Sequence, residues 1–144
     1  MPTSTRFIVS IHTLTMLASH DGRPVRSEDL AAGIGTNPAV VRALLTRLAA
    51  AGLTTSQLGN GGGALLKRPD DAITLLDIYL AVEDREIFSP HRSLPQEPDS
   101  IGRHIVETLA QPLAAAREAM ERELDAITVA DVLARIRHRS DAAG

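Results

Sequence analysis

Phe7, Ile8, Ile11, Leu14, Met16, Leu17 and Ala18 put a broad apolar face on one helix and predict helical structure over Thr5–His20. Asp21-Gly22-Arg23-Pro24 ends it. Two shorter helical stretches follow. Ser27 is placed to cap the first with its hydroxyl, and Gly33 and Gly35 end it. Asn37 caps the second, Pro38 brings the fixed φ that suits a first helical position, and Gly52 fits the left-handed residue that closes it. Leu53–Leu58 and Ala64–Lys67 are short extended runs around Gly59-Asn60-Gly61-Gly62-Gly63, the chemistry of a hairpin. Thr74, with Asp77 three residues on, starts a further helix that runs to about Asp84. Residues 85–99 contain Pro90, Pro95 and Pro98 without a clear period and are expected to form a loop.

From Ser100 the apolar positions Ile101, Ile105, Leu109, Leu113, Ala116, Met120, Leu124 and Ile127 recur every three or four residues. One face of a long helix cannot bury itself, and Ala114-Ala115-Ala116 permits another helix to approach closely. The stripe is therefore assigned to dimerisation, the alternative being that it packs only on the chain's own core. Pro112 removes a backbone donor and is expected to kink the helix. Thr128 and Asp131 repeat the capping pattern and start a last helix, expected to fray over Arg135–Gly144. The predicted fold is mainly α with a small two-stranded β wing. A winged helix-turn-helix domain spans 1–84, a loop 85–99, and a dimerisation helix plus C-terminal helix 100–144.

Helix, turn, helix and wing is the layout of a DNA reader. On a wheel of about 100° per residue, Val41, Leu44, Leu45 and Leu48 fall on one side of the 38–51 helix. Pro38, Ala39, Arg42, Ala43 and Thr46 fall on the other, with Arg47 flanking. Small residues let the helix approach a groove wall, and the fork of Arg42 matches the O6 and N7 acceptors of guanine. Thr46 is assigned to a thymine methyl or a phosphate, and Arg47 to a phosphate. At the wing, Asn60 and Gly61 offer backbone N–H groups on a thin tip suited to a minor groove or to phosphates, with Gln57, Lys67 and Arg68 at the base. Arg6, Ser27 and Asn37 complete the candidate DNA-contacting set.

Charge supports this division. The net charge of −3 conceals a basic first half: residues 1–69 hold seven Arg/Lys against three acids, residues 70–144 eight against fifteen. The first half can face phosphates while the second stays in solvent. With no Cys there is no disulfide framework, thiolate metal site or cysteine redox switch. No apolar run approaches the roughly 18 residues of a membrane span, and MPTSTRF has no signal-peptide pattern, so a cytoplasmic location is expected.

Competing chemistry is weaker. Gly59-x-Gly61-x-x-Ala64 formally resembles a dinucleotide-binding turn, but Leu65-Leu66-Lys67-Arg68-Pro69 leaves no room for the helix that must receive the pyrophosphate. His91 and His104, with Glu97 and Asp99 between them, match no metal-ligand spacing, so no metal site is assigned. Tyr79 and Phe88 fit either core or a small-molecule pocket between the 74–84 helix and the long helix; core is preferred, and the identity of any effector is left open. No catalytic set survives inspection, so an enzyme is not expected. Two function classes are carried: a homodimeric, sequence-specific DNA-binding regulator, and a winged-helix protein-interaction module without a DNA-reading role.

Ile34-Gly35-Thr36-Asn37-Pro38-Ala39-Val40-Val41-Arg42, then Ala51-Gly52-Leu53, the glycine wing, Arg68-Pro69 and Ile73-Thr74-Leu75-Leu76-Asp77-Ile78-Tyr79 together resemble the Rrf-two family of bacterial winged-helix transcriptional regulators. Val82-Glu83 and Ile101-Gly102 extend the resemblance over nearly the whole chain. It implies a homodimer held by the long helix, a palindromic operator and usually repression. In the sensing members, three cysteines between the wing-following helix and the dimer helix hold an iron–sulfur cluster. The matching stretch Ile87–Gly102 has none, and Asp99 stands where relatives place a cysteine before the Ile/Val-Gly pair. The resemblance is therefore to a clusterless branch, and no iron–sulfur cofactor is expected. Arg42 stands where cluster-bearing relatives can carry an acidic base reader, so a shared operator is not implied.

Overall fold

In the computed structural model, residues 4–84, 87–88 and 100–144 are described. Helix α1 (Arg6–Ser19) is the central packing element, touching the helices before and after the wing and the wing's second strand. Its Leu14 and Leu17 are buried against a core that includes Leu30, Val41, Leu48, Leu53, Ile73, Ile78, Val82 and Val129. Burying a side chain of this size contributes about 1.5–3 kcal/mol, so this cluster supplies most of the drive to fold.

Helices α2 (Ser27–Ile34) and α3 (Pro38–Ala50) form the helix-turn-helix. The turn follows from its residues: Gly35 takes a left-handed φ of 82°, and the Asn37 side chain accepts the Ala39 N–H at 2.8 Å with Pro38 in the first helical turn. Two expectations fail here. Ser27 is already inside α2 and caps nothing; Arg26 holds the N-cap position without a side-chain cap bond. Val25 pairs with Ala64, so the extended chain is held up to Arg26 and the helix starts one residue earlier than a Ser27 cap would set it. Gly33 does not end α2 either. It lies within the helix, where an added Cβ would run into the end of Met16 on α1.

Strands β1 (Thr54–Gln57) and β2 (Gly63–Leu66) pair antiparallel in the register Thr54↔Leu66 to Gln57↔Gly63. The Val25–Ala64 bridge ties this wing to the segment entering α2. After a single 3-10 turn at Asp70–Ala72, α4 (Leu75–Val82) opens on a capping box: Thr74 Oγ1 accepts the Asp77 N–H, and Asp77 accepts the Thr74 N–H. The expected loop over 85–99 lies outside the described residues apart from 87–88, where Ile87 and Phe88 are exposed.

Helix α5 (Ser100–Asp125) accommodates Pro112 and packs against α4. Helix α6 (Val129–Ala143) opens on a second capping box, Thr128 with Asp131. It is helical through Ala143, so the expected fraying over Arg135–Gly144 is not seen; those residues are exposed but retain helical bonding. The two capped starts lie side by side: Leu75 N–H donates to Ile127 C=O and Val129 N–H to Ile73 C=O, each at 2.9 Å. This pairing returns α6 to α1 and places Val129 in the core. By packing, α6 therefore joins α1 and the 3-10 turn that follows the wing.

Candidate nucleic-acid interface

Helix α3 divides as its apolar period dictates. Val41, Leu44 and Leu48 are buried, while Ala39, Arg42, Ala43, Thr46 and Arg47 are exposed and Pro38 is half-buried. The exposed residues combine small side chains with two arginines. The Thr46 hydroxyl donates to Arg42 C=O at 3.0 Å, so its methyl remains as the group offered outward. Val40, also exposed, adds an apolar edge.

The arginines of this surface are mostly held by neighbours in the free protein. Arg42 pairs with Glu28 of α2 at 3.5 Å, both more than half exposed. Arg26 pairs with Asp29 at 3.1 Å, and that hydrogen bond raises its pKa further above the ordinary guanidinium value. Arg68 lies 3.6 Å from Asp77 and also donates to Ala72 C=O, which binds it to the start of α4. Among the described residues no acid pairs with Lys67, which is exposed at the wing base. Exposed ion pairs are screened by water and contribute little, so exchanging these carboxylates for phosphates costs little.

Two predicted contacts have other partners. The Arg47 guanidinium donates to Val82 C=O at 3.0 Å, clamping α3 to the last residue of α4. Arg6 pairs with Glu83 at 3.3 Å, while Ser4 Oγ donates to the same carboxylate at 2.7 Å. Both arginines thus gather at the C-terminal end of α4. Ser27 is half-buried within α2. Gln57, Asn60 and Gly61 are exposed along the wing and its tip.

Of the two aromatic residues assigned to the core in preference to an effector pocket, Tyr79 is buried and Phe88 is not. Tyr79 is buried edge-to-face against Phe7, with centroids 5.5 Å apart, and its pKa is pushed up by burial and then by Glu83, Glu121 and Asp84. Phe88 is half exposed and belongs to no core. The space between α4 and α5 is an open groove of about 310 Å³ lined by Leu76, Glu118, Glu121, Arg122 and Asp125. Among the described residues no group of three His, Cys, Asp or Glu is placed to hold a metal. His91, Glu97 and Asp99 lie outside the described residues. No helix among those described is long and apolar enough to cross a membrane.

The assigned dimerisation stripe is divided in two. Ile101, Ile105 and Leu109 are exposed, together with Val106, which the three-or-four spacing missed. Leu113, Met120 and Leu124 are half-buried in the half of α5 that approaches α4, and Ala116 is exposed. The C-terminal part of the stripe is thus partly covered by the chain itself, and the N-terminal part is open.

A helix-turn-helix with an exposed reading face, braced by a two-stranded wing, defines a winged-helix DNA-binding transcriptional regulator. The chain belongs to the Rrf2 family, described as iron-dependent transcriptional regulators, which its residues 3–135 match. It is 34% identical over 131 residues to YwnA of Bacillus subtilis strain 168, a candidate HTH-type transcriptional regulator, covering 90% of this chain and 96% of YwnA. Among solved structures it is similar to the T. potens protein IscR, at 26% identity and a TM-score of 0.67 over 94% of this chain and 88% of that one. It is also similar to CymR, the global cysteine regulator of B. subtilis, at 25% identity and a TM-score of 0.68 over 94% of this chain and 98% of that one. These relatives are regulators and not enzymes, and the alternative of an interaction module without a DNA-reading role gives way to them. The chain has no cysteine thiolate, the usual anchor of an iron–sulfur cluster.

Proposed function

We propose that the chain is a cytoplasmic homodimeric repressor that reads a palindromic operator without an iron–sulfur cluster. The observation that carries this reading is the open apolar half of α5, Ile101, Ile105, Val106 and Leu109, on a chain whose reading helix is exposed elsewhere. A second copy covering those residues creates a two-fold pair of α3 helices, and two-fold proteins select two-fold sites. Arg42 is the base reader, supported by Ala39, Ala43 and the Thr46 methyl; Asn37 and Pro38 set the N-terminal end of α3 against the groove. Lys67 supplies the principal phosphate charge, with Gln57, Asn60, Gly61 and Arg68 placing the wing. Arg6 and Ser27 are secondary, because one is paired with Glu83 and the other lies within α2.

The deciding experiment is selection from a random duplex pool with the purified protein, followed by transcription from a promoter carrying the selected site. Enrichment of an inverted repeat, with less transcript when protein is added, is the expected result. Enrichment of an asymmetric site would overturn the dimer reading, and increased transcript would overturn repression. Activity retained after exhaustive iron removal is expected for a cluster-free protein; loss restored by iron would overturn that part.

A further inference from the structure

We propose that Leu58 at the wing tip is an apolar wedge that enters the minor groove, opens a base step and bends the operator. Leu58 is 91% exposed, more than any other large apolar residue described. Such exposure costs free energy in water, and nothing in the chain's own fold recovers it. Its surroundings say what it meets. From Leu53 to Leu66 the wing carries no charged side chain; the first cation is Lys67, beyond the second strand. A neutral tip is not drawn to phosphate by charge, so its contact must be short-range. The chemistry it offers is a leucyl side chain, the Asn60 amide and glycine backbone, which suits the floor of a groove.

The tip is also built to hold its shape. Gly62 N–H donates to Gly59 C=O at 3.0 Å and closes the turn, with Gly61 at a left-handed φ of 76°. A Cβ at Gly62 would overlap the Gln57 carbonyl, and one at Gly63 would strike the Val25 backbone. The hairpin is therefore packed against itself and against the chain entering α2. Of residues 59–63 only Asn60 has a side chain, which leaves a narrow profile beside Leu58. A narrow, pinned support with one projecting apolar group is the form of a wedge, and apolar wedges act by unstacking a step and kinking the duplex. Pyrimidine–purine steps open most readily, so the preferred flank is TpA or CpA.

This inference rests on the chain's DNA binding and on a wing seated in the minor groove, and its test separates those failures. Duplexes selected by the wild-type protein are labelled at both ends, and bending is read by energy transfer across a series of salt concentrations. Wild type is expected to bend the duplex by at least about 20°. Leu58→Ala should lose the bend and bind about tenfold more weakly, with the slope of log affinity against log salt unchanged. Leu58→Met, which keeps apolar reach, should retain most of the bend. Because the side chain is solvent-exposed, neither change threatens the fold. A wild type that selects no duplex would overturn the DNA reading itself. A wild type that leaves its selected duplex straight, or a Leu58→Ala protein that binds and bends like wild type, would overturn the wedge alone and return Leu58 to solvent or to a protein partner.

Discussion

Arg42 approaches DNA from an existing partner, Glu28 at 3.5 Å, and the exchange of that carboxylate for guanine acceptors sets what the residue contributes. Because the pair is exposed, its loss costs at most about 1 kcal/mol, less than the roughly 1–3 kcal/mol that a bidentate arginine–guanine pair discriminates. Arg42→Ala is expected to relax preference at one base position of the selected site while leaving others intact, as read by binding to single-base operator variants. Lys67→Ala should weaken all sequences alike and reduce the salt slope by about one. Arg47 behaves differently, because its guanidinium is committed to Val82 C=O. Arg47→Ala is expected to lower affinity through a less firmly held α3 while the salt slope stays as in wild type; a slope reduced by about one would identify a phosphate contact instead. The exposed face of α3 was legible because helical period alone separates it from Val41, Leu44 and Leu48. The partners of its arginines were not, since Glu28 lies 14 residues from Arg42 and Val82 lies 35 from Arg47.

Among the elements, the starts of α4 and α6 show the most complete agreement between local chemistry and structure. Each begins with Thr and, three residues later, Asp, and each forms the reciprocal pair of hydrogen bonds that satisfies helix N–H groups. Thr74→Ala is expected to cost about 1 kcal/mol in denaturant unfolding. At α6 the Thr128 backbone N–H, and then its hydroxyl, hold the Asp131 carboxyl below the usual carboxylate range. A lowered folded pKa means that this contribution to stability is fully present above the ordinary carboxylate value and disappears as pH falls through the folded value. Asp131→Asn should therefore narrow the difference in Tm between neutral pH and about pH 3, with the change confined to the acid side. The α2 start was misread for a physical reason. Ser27 has the right side chain for a cap, but the Val25–Ala64 bridge fixes the backbone leading to Arg26 and sets where the helix can begin.

At the scale of the whole molecule, two surfaces with different chemistry have to be satisfied by different partners. The basic first half carries the reading helix and wing, while the acidic second half carries the open apolar part of α5. Ile105→Glu is expected to shift the monomer–dimer equilibrium at least about tenfold toward monomer, measured by sedimentation, because a charge at the centre of an apolar interface has no partner. Affinity for the full inverted repeat should fall with it, while binding to a single half-site should not.

Residue order by itself determined the helix starts at Asn37, Thr74 and Thr128, the buried stripe of α3, the glycine turn of the wing and the lack of thiolate ligands. Each depends on chemistry within about four residues, where helix period, caps and φ preferences operate. Only the tertiary structure decided that Arg47 clamps α4, that α6 returns to α1 through the Thr74–Thr128 bridge, and that α5 is covered along half its stripe. Those outcomes depend on which distant segments meet once the core around Leu14 and Leu30 closes, and local preference does not encode that choice.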